Sequence, residues 1–398
     1  MKKLLLASAA SALVASAALA GSHSKEVKIG VLLGFTGPLE SITPHMAGGA
    51  ELAMAEVNAA GGILDGTMVT AVRGDSTCVD AAAATAAAER LITSEGVAAL
   101  MGGDCSGVTG AVLQNVARPN GIVMVSPSAT SPALSTAEDD GLFFRTAPSD
   151  ARQGVVMAEI LGERGIKSVA VTYTNNDYGK GLADSFQAAF EATGGKVTLS
   201  AAHEDGKADY AAEVGALAAA GGDVLVVAGY IDQGGSGVIR GALDSGAFTT
   251  FMLPDGMVGT GLEERFGKEI DGSFGQHPGT DSNGAASFVD LAKDKGFEPT
   301  TAFSPEAYDA AALMMLAMQA AGSTKGVDFK DKIMDIANAP GEQIFPGELA
   351  KAIALIKEGK DIDYVGASAV ELVGAGESAG NYREIEFKDG KITTVKYR

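Results

Sequence analysis

Residues able to bind transition metals are scarce in this 398-residue chain, which holds only four histidines and two cysteines. The histidines, His23, His45, His203 and His277, are far apart and show no H-E-x-x-H or similar spacing. Phosphate-binding motifs are missing too, because no Gly-Lys pair is followed by Ser or Thr and no G-x-G-x-x-G follows a strand-like segment. The sequence therefore predicts no metal, nucleotide or other cofactor.

Basic residues are few relative to acidic ones. Thirty Lys and Arg against 50 Asp and Glu give a formal net charge of -20 at pH 7. A chain this acidic repels phosphate backbones and anionic lipid headgroups. We therefore expect neither nucleic-acid binding nor binding to a membrane surface.

The first twenty residues have the pattern of a secretory signal peptide. Lysines at positions 2 and 3 precede an apolar and small-residue stretch at 4–17, and positions 18–20 read Ala-Leu-Ala, a small-x-small cleavage pattern. The stretch is shorter than a membrane span requires, and no cysteine near the cleavage site favours lipid attachment. We expect export to the periplasm, cleavage near Ala20 and a mature chain that starts near Gly21.

The only cysteines are Cys78 and Cys105. In a chain sent to an oxidising compartment, two cysteines predict a single disulfide, whereas a reactive thiol fits poorly. Loop-entropy estimates give such a closure roughly 3 to 4 kcal/mol of stabilisation.

Strand-like and helix-like segments alternate along the chain, which is typical of parallel sheets flanked by helices. A first series starts with the buried strand 27–33 and the helix 45–60, and a second starts with a helix capped by Asp150 and ends with a strand at 249–253. Helices return between 285 and 357, and Asp389-Gly390 is expected to turn a C-terminal hairpin. The chain length suits two doubly wound α/β units, each with its own core.

Open parallel sheets bind ligands at the carboxyl ends of their strands. Two such sheets facing each other place a crevice between two lobes. The segments that follow the predicted strands are rich in Gly, Ser, Thr and Asp, and they cover residues 34–41, 102–109, 126–132, 174–181, 229–235 and 254–260.

Residues 376–380 (GESAG) match the G-x-S-x-G pattern of a hydrolase nucleophile. That mechanism requires a histidine after the serine, and none follows Ser378. We therefore predict a Gly/Ser surface loop and no enzymatic activity.

Read together, the segments after the strands resemble the periplasmic Leu/Ile/Val-binding proteins of ABC transporters. The resemblance extends over the mature chain, and its clearest stretches are 28–38 (KIGVLLGFTGP), 48–63 (GGAELAMAEVNAAGGI), 75–80 (DSTCVD), 126–134 (SPSATSPAL), 178–182 (YGKGL) and 227–230 (VAGY). It implies a periplasmic, monomeric binding protein whose partners are a small-molecule ligand, most simply an amino acid, and the permease subunits of a transporter.

The resemblance also implies the type I periplasmic binding protein fold, a clamshell of two α/β lobes joined by three crossovers. These are expected near Thr146, His277 and Ser368. Beyond the signal peptide at 1–20, residues 21–146 and 277–368 would form lobe 1, and residues 147–276 and 369–398 would form lobe 2.

The family's ligand positions fall on residues of both lobes, and its cysteine pair falls on Cys78 and Cys105. The implied ligand residues are Ser106, Ser128, Ala129 and Thr130 from lobe 1 and Tyr178, Tyr230 and Asp255 from lobe 2. Hydroxyl and backbone N–H groups suit a carboxylate, and an aspartate with a tyrosine hydroxyl suits an ammonium group. Individually, such residues are also ordinary turn and cap formers.

Two positions depart from the family pattern. Ile42 stands where relatives often carry a tyrosine against the ligand, and Asp255 replaces a glutamate, which shortens the carboxylate by one methylene. The ligand could therefore be a branched-chain or similar amino acid, or an amide, urea or other carboxylate. A periplasmic sensor with the same clamshell remains an alternative, and an exported hydrolase is a further one.

Overall fold

The computed structural model of the protein describes residues 25–398. The predicted signal peptide and its cleavage site lie outside the described residues. Within them the α/β alternation is confirmed, and it builds two seven-stranded sheets and one small two-stranded sheet. None of the helices between residues 25 and 398 has the length and apolar character needed to cross a membrane.

The first part of the chain forms five adjacent parallel strands of the first sheet. Its strands are β1 Glu26–Leu33, β2 Met68–Asp75, β3 Ala99–Gly102, β4 Val123–Ser126 and β5 Phe143–Pro148. Its helices are α1 Thr43–Ala59, α2 Ala81–Thr93, α3 Ser106–Val112 and α4 Arg118–Asn120, the last two joined by a π-helical turn at Leu113–Ala117. Asp80 begins α2 as predicted, since its carboxylate accepts the N–H groups of Ala82 and Ala83.

The second part repeats this plan in the second sheet. Its strands are β6 Ser168–Thr174, β7 Lys196–His203, β8 Val224–Ala228, β9 Phe251–Leu253 and β10 Phe274–Pro278. Its helices are α5 Asp150–Glu163, α6 Asp177–Ala192, α7 Ala211–Ala220, α8 Gly234–Ser245 and α9 Thr260–Phe266.

The rest of the chain returns to the first sheet and then ends in the second. Its helices are α10 Asn283–Ala292, α11 Ser304–Ala321, α12 Gly326–Phe329, α13 Lys332–Ala337 and α14 Leu349–Lys357. Its strands are β11 Glu342–Ile344, β12 Ile362–Tyr364, β13 Leu372–Val373, β14 Glu377–Ser378, β15 Tyr382–Lys388 and β16 Lys391–Tyr397. The predicted hairpin at Asp389-Gly390 joins β15 to β16.

Each large sheet switches direction at its first strand. The strand orders are β13-β14-β5-β4-β3-β1-β2 and β16-β15-β10-β9-β8-β6-β7. In the first sheet, β2 therefore lies on one side of β1 and β3 on the other. In the second sheet, β7 and β8 lie on opposite sides of β6 in the same way. Helix α11 packs along α1 over the first sheet, where Gly49 lets the helices approach closely. A Cβ there would lie 2.3 Å from the carbonyl oxygen of Ser304.

The chain passes between the sheets three times, after β5, after β10 and after β14. The first two crossovers begin within a few residues of the expected Thr146 and His277. The third is later than the expected Ser368, because β13 and β14 still pair in the first sheet. The boundary proposed at residue 368 is therefore corrected to the segment between Ser378 and Tyr382.

Candidate ligand-binding site

A small cavity lies between the two sheets, at the carboxyl ends of their strands. Its empty volume is about 250 Å³. It is lined by residues of both lobes: Leu39, Asp104, Cys105, Ser106, Ser128, Tyr178, Tyr230, Asp255, Gly256 and Phe303. Five of the seven predicted ligand residues are in this lining, while Ala129 and Thr130 are buried directly after Ser128 in the same loop.

On the side of the first sheet, two loops are tied together by serine hydroxyl groups. Ser128 donates its hydroxyl to the carbonyl of Asp104 (2.9 Å), and the hydroxyl of Ser106 accepts the N–H of Ser131 (3.1 Å). The predicted Cys78–Cys105 disulfide is confirmed, with Cα atoms 5.1 Å apart, and it fixes the residue before Ser106. These bonds set the positions of the lobe 1 hydroxyl groups at the cavity.

Arg145 was missed by the sequence analysis, although it supports this whole loop. Its guanidinium is 1% exposed and donates to the carbonyls of Ala129 and Ser131, each at 3.0 Å. It also forms an ion pair with Glu377 at 2.5 Å. The partners are separated by 232 residues, so no local sequence signal indicated the pair.

The same ion pair corrects the prediction for residues 376–380. They were expected to form a surface loop, but Glu377 and Ser378 form β14 and pair with β5. The strand forms there because Arg145 holds Glu377 against the sheet, and the backbone N–H of Arg145 donates to the carbonyl of Gly376 (2.9 Å). The G-x-S-x-G match thus contains a short strand that pairs with β5 on one side and with the edge strand β13 on the other.

On the side of the second sheet, two tyrosines and an aspartate form one unit. The rings of Tyr178 and Tyr230 stack with centroids 5.2 Å apart. The Tyr178 hydroxyl donates to Asp255 Oδ1 at 2.7 Å, and the N–H of Gly256 donates to the same oxygen at 2.7 Å. Position 256 is close-packed, since a Cβ there would lie 2.9 Å from the Tyr178 hydroxyl oxygen.

Asp150 is a second buried carboxyl group beside Asp255. It was predicted to cap α5, but Ser149 is the cap, and Asp150 is the first residue of the helix. Its N–H donates to the carbonyl of Thr130 at 2.8 Å. Burial and the nearby charge of Asp255 raise the pKa of Asp150 well above its ordinary value. Burial likewise raises the pKa of Asp255.

Several polar atoms around these carboxyl groups have no protein partner between residues 25 and 398. They are both oxygens of Asp150, Oδ2 of Asp255, the hydroxyls of Thr130 and Tyr382, Oε1 of Gln153 and Nε2 of Gln276. Buried polar groups are normally hydrogen-bonded, so a cluster of unpartnered ones in a cleft indicates a binding site. The nearby Gln153 and Gln276 amides bond only to each other, at 3.1 Å.

The apolar wall of the cavity differs from the prediction. Leu39 and Phe303 line it, whereas Ile42 is buried just before α1 and does not. A Cβ on Gly259 would lie 3.7 Å from Ile42, so this side chain instead faces the other lobe. The departure noted at Ile42 therefore does not shape the cavity directly.

The lobes also touch at the rim of the cleft. Asp232 donates its N–H to the carbonyl of Pro38 (3.1 Å), and its carboxylate accepts the N–H of Ser41 (2.9 Å). Arg265 holds the other oxygen of that carboxylate at 2.8 Å. These contacts close the cleft over the cavity.

One cluster in the described part of the chain has the spacing of a metal site, namely Cys78, Asp104 and Cys105. Its cysteines are joined in the disulfide, and Asp104 accepts bonds from Ser76 and Gly34. The two sulfur atoms and the Asp104 carboxylate are therefore already bonded within the protein, and the cluster does not suit a metal ion.

The chain belongs to the periplasmic binding protein family, whose model matches residues 26–346. It is 33% identical to the Leu/Ile/Val-binding protein homolog 1 of Brucella abortus over 318 residues, which cover 78% of this chain and 83% of the relative. It is 29% identical to the Leu/Ile/Val-binding protein of Citrobacter freundii, covering 71% of this chain and 76% of that protein.

Solved structures of the same architecture agree with the fold. The leucine binding protein LivK of Thermotoga maritima superposes with a TM-score of 0.78 at 23% identity, covering 93% of this chain and 98% of that one. A solute binding protein from R. palustris, in complex with benzoate, has a TM-score of 0.75 at 20% identity, covering 94% of this chain and 96% of that one. The predicted two-lobed α/β clamshell is thereby confirmed.

Proposed function

We propose that this protein binds a small apolar amino acid, of the leucine, isoleucine or valine type, in the cavity between its lobes and presents it to the permease of an ABC importer. The observation that carries the proposal is the buried carboxyl group of Asp255, which lines one end of a cavity with an apolar wall and has the buried carboxyl group of Asp150 nearby. Such a site calls for a ligand with a cationic group and an apolar body.

The carboxyl end suits an ammonium group. Asp255 keeps Oδ2 free while its Oδ1 accepts two bonds from the protein, so the carboxylate is held in place and can still accept from a ligand. A buried charge without a partner costs several kcal/mol, which a bound cation offsets.

The hydroxyl end suits a carboxylate. Ser106 and Ser128 line the cavity beside the disulfide, whereas the Thr130 hydroxyl is buried beside the Asp150 carboxyl group. Leu39 and Phe303 supply an apolar surface, and the stacked Tyr178 and Tyr230 rings cover the opposite side. A zwitterion with a short apolar side chain satisfies all three regions at once.

The carboxyl pair also discriminates against the second candidate class, aromatic acids such as the benzoate bound by the R. palustris protein. An anion without an ammonium group would enter beside two carboxyl groups and leave Asp255 Oδ2 unpaired. The role of the protein is then binding without catalysis, in the periplasm. The same binding step would also serve a periplasmic sensor, and neighbouring permease genes would favour transport.

Calorimetric titration of a panel of amino acids and aromatic acids tests the proposal. Removing one partner of a buried charged pair costs about 3 to 5 kcal/mol, so Asp255→Ala should weaken amino-acid binding by roughly a hundredfold to a few thousandfold. Asp255→Asn should lie between, because the amide keeps an acceptor without the charge. Asp244→Asn, at an exposed site on α8, is the control and should bind like the parent.

If both Asp255 variants bind the amino acid as tightly as the parent, Asp255 is only a turn former. If aromatic acids bind and amino acids do not, the ligand is an organic anion and the amino-acid proposal is wrong.

A further inference from the structure

Asp150 and Asp255 form a pair of carboxyl groups with no cation committed to neutralising them. Both side chains are essentially fully buried, at 0% and 1% exposure. Three of their four carboxylate oxygens have no hydrogen-bond partner in the described chain. The fourth, Asp255 Oδ1, accepts from the Tyr178 hydroxyl and the Gly256 N–H, which are neutral donors.

The other titratable and charged groups facing this pair come from α5, α6, β5, β15 and the segment after β8, where burial and, to a smaller extent, the Asp255 charge raise the pKa of Tyr230. Arg145 on β5 is a buried cation whose charge partly opposes the rise in the pKa of Asp150, but its guanidinium already donates to two loop carbonyls, to Ser135 and to Glu377. Tyr178 on α6 and Tyr382 on β15 are neutral hydroxyls, and the pKa of each is raised by burial and then by the Asp255 and Asp150 charges. Arg152, on α5 with Asp150, is half-buried, and its charge opposes the rise in the pKa of Tyr382.

Two buried carboxyl groups in one site do not both ionise readily. Desolvation disfavours each charge, and the first charge disfavours the second, so one of the two groups keeps a proton to a higher pH than an isolated carboxyl would. The pKa of Asp150 is raised by both causes, burial being the larger. Such a pair titrates as a unit, so the proton belongs to the pair and not to one residue.

We propose that Asp150 and Asp255 share one proton in the unliganded cleft and that the ammonium group of the ligand displaces it, so that ligand binding releases a proton to solvent. This inference rests on the proposed function, because it requires a cationic ligand group. The charge balance is simple: the pair changes from one negative charge to two, the ammonium group contributes one positive charge, and the proton goes to the buffer. No covalent bond other than the O–H bond is broken.

The proposal makes affinity depend on pH. While the pair holds its proton, each unit of pH rise should tighten binding about tenfold, because one proton is released for each ligand bound. Once the pair has lost the proton, affinity should no longer change. A ligand without the ammonium group, such as 4-methylpentanoate in place of L-leucine, should show neither effect.

The experiment is calorimetry of L-leucine binding in phosphate and in Tris, two buffers with different ionisation enthalpies, at several pH values between about 6 and 8, where free carboxyl groups are already ionised. The parent and the Asp244→Asn control should release up to about one proton per ligand, and release should diminish as the pair ionises. Asp150→Asn should release none, and its dissociation constant should be independent of pH in this range.

Two outcomes overturn the proposal while leaving the proposed function intact: L-leucine binds with the same heat in both buffers at every pH, or Asp150→Asn releases as many protons as the parent. Failure of L-leucine and the rest of the amino-acid panel to bind overturns the proposed function and ligand-driven proton release with it.

A carbon-13 NMR titration of the unliganded protein tests the shared proton without any ligand. The expected result is an aspartate carboxyl signal that titrates well above the ordinary aspartate range in the parent and is absent in Asp150→Asn. If both carboxyl groups titrate in the ordinary range, the pair shares no proton and the proposal fails.

Discussion

Replacing Arg145 with methionine should both destabilise the protein and weaken ligand binding. The guanidinium is 1% exposed and connects the loop of Ala129 and Ser131 to Glu377 on β14. Breaking a buried ion pair by removing one partner costs about 3 to 5 kcal/mol. We expect the lower end of that range, because the Glu377 side chain is 23% exposed and can be hydrated once its partner is gone.

Thermal unfolding is the first assay. At about 2 to 4 °C per kcal/mol for domains of this size, a loss of about 3 kcal/mol in Arg145→Met should lower Tm by roughly 6 to 12 °C. Glu377→Gln should lower it less, since the amide still accepts a hydrogen bond from the arginine. Combining the two changes should cost less than the sum of the single changes, because the residues share one interaction.

The matched control is Arg90→Met, at an exposed arginine on α2 that pairs with Glu95 at the surface, which should leave Tm within a few degrees of the parent. Calorimetry on the folded variants should then show weaker amino-acid binding for Arg145→Met alone, because the loop of Ser128 to Ser131 loses its anchor. If Arg145→Met unfolds and binds like the parent, the loop is held by the serine hydroxyl bonds and this reasoning is wrong.

The remaining predictions concern the disulfide, the rim of the cleft and pH. Replacing Cys78 and Cys105 by serine should lower the free energy of unfolding by about 3 kcal/mol and weaken ligand binding through Ser106, and denaturant unfolding with calorimetry would measure both. Asp232→Ala removes an acceptor for the Ser41 N–H across the cleft and should raise the ligand dissociation rate with little change in Tm. An unchanged dissociation rate in stopped-flow experiments would show that Asp232 does not hold the cleft closed. Burial raises the pKa of Glu306 to about 8, above its ordinary 4.5. The folded state therefore keeps this proton at pH values where the unfolded state loses it. The contribution of this group to the free energy of unfolding is fully present below about pH 4.5 and is lost as pH rises to about 8, at no more than about 1.4 kcal/mol per pH unit. Glu306→Gln should flatten that part of the stability profile, and identical pH profiles for variant and parent would contradict the assignment.

Most of the architecture was predictable because its strands are continuous apolar runs between helices that begin and end at clear signals. The strand at Val224–Ala228 and the cap at Asp80 are examples. The hinge strands β5 and β10 were not predicted, because their sequences, FFRTAP and FGQHP, mix charge, proline and apolar residues without a two-residue period. Their fully buried positions depend on contacts that form only in the folded protein.

The site was predictable only as a set of family positions. Ser106, Ser128, Tyr178, Tyr230 and Asp255 line one cavity, although each alone resembles an ordinary turn or cap residue. Asp150 was predicted from its local sequence as a helix cap, and its carboxylate instead lies buried near Asp255. That partner follows from packing within the second lobe between segments far apart in the chain, which local sequence does not encode.

The central claim is that a small amino acid binds in the cavity between the lobes through its ammonium group. Native mass spectrometry tests it most directly, on unfolded, dialysed and refolded protein that is then offered an equimolar mixture of amino acids and benzoate. The parent and Asp244→Asn should each carry one ligand with the mass of an apolar amino acid, and Asp255→Ala should carry none. Adducts of benzoate without amino-acid adducts, or an amino-acid adduct equally abundant in Asp255→Ala, would contradict the account.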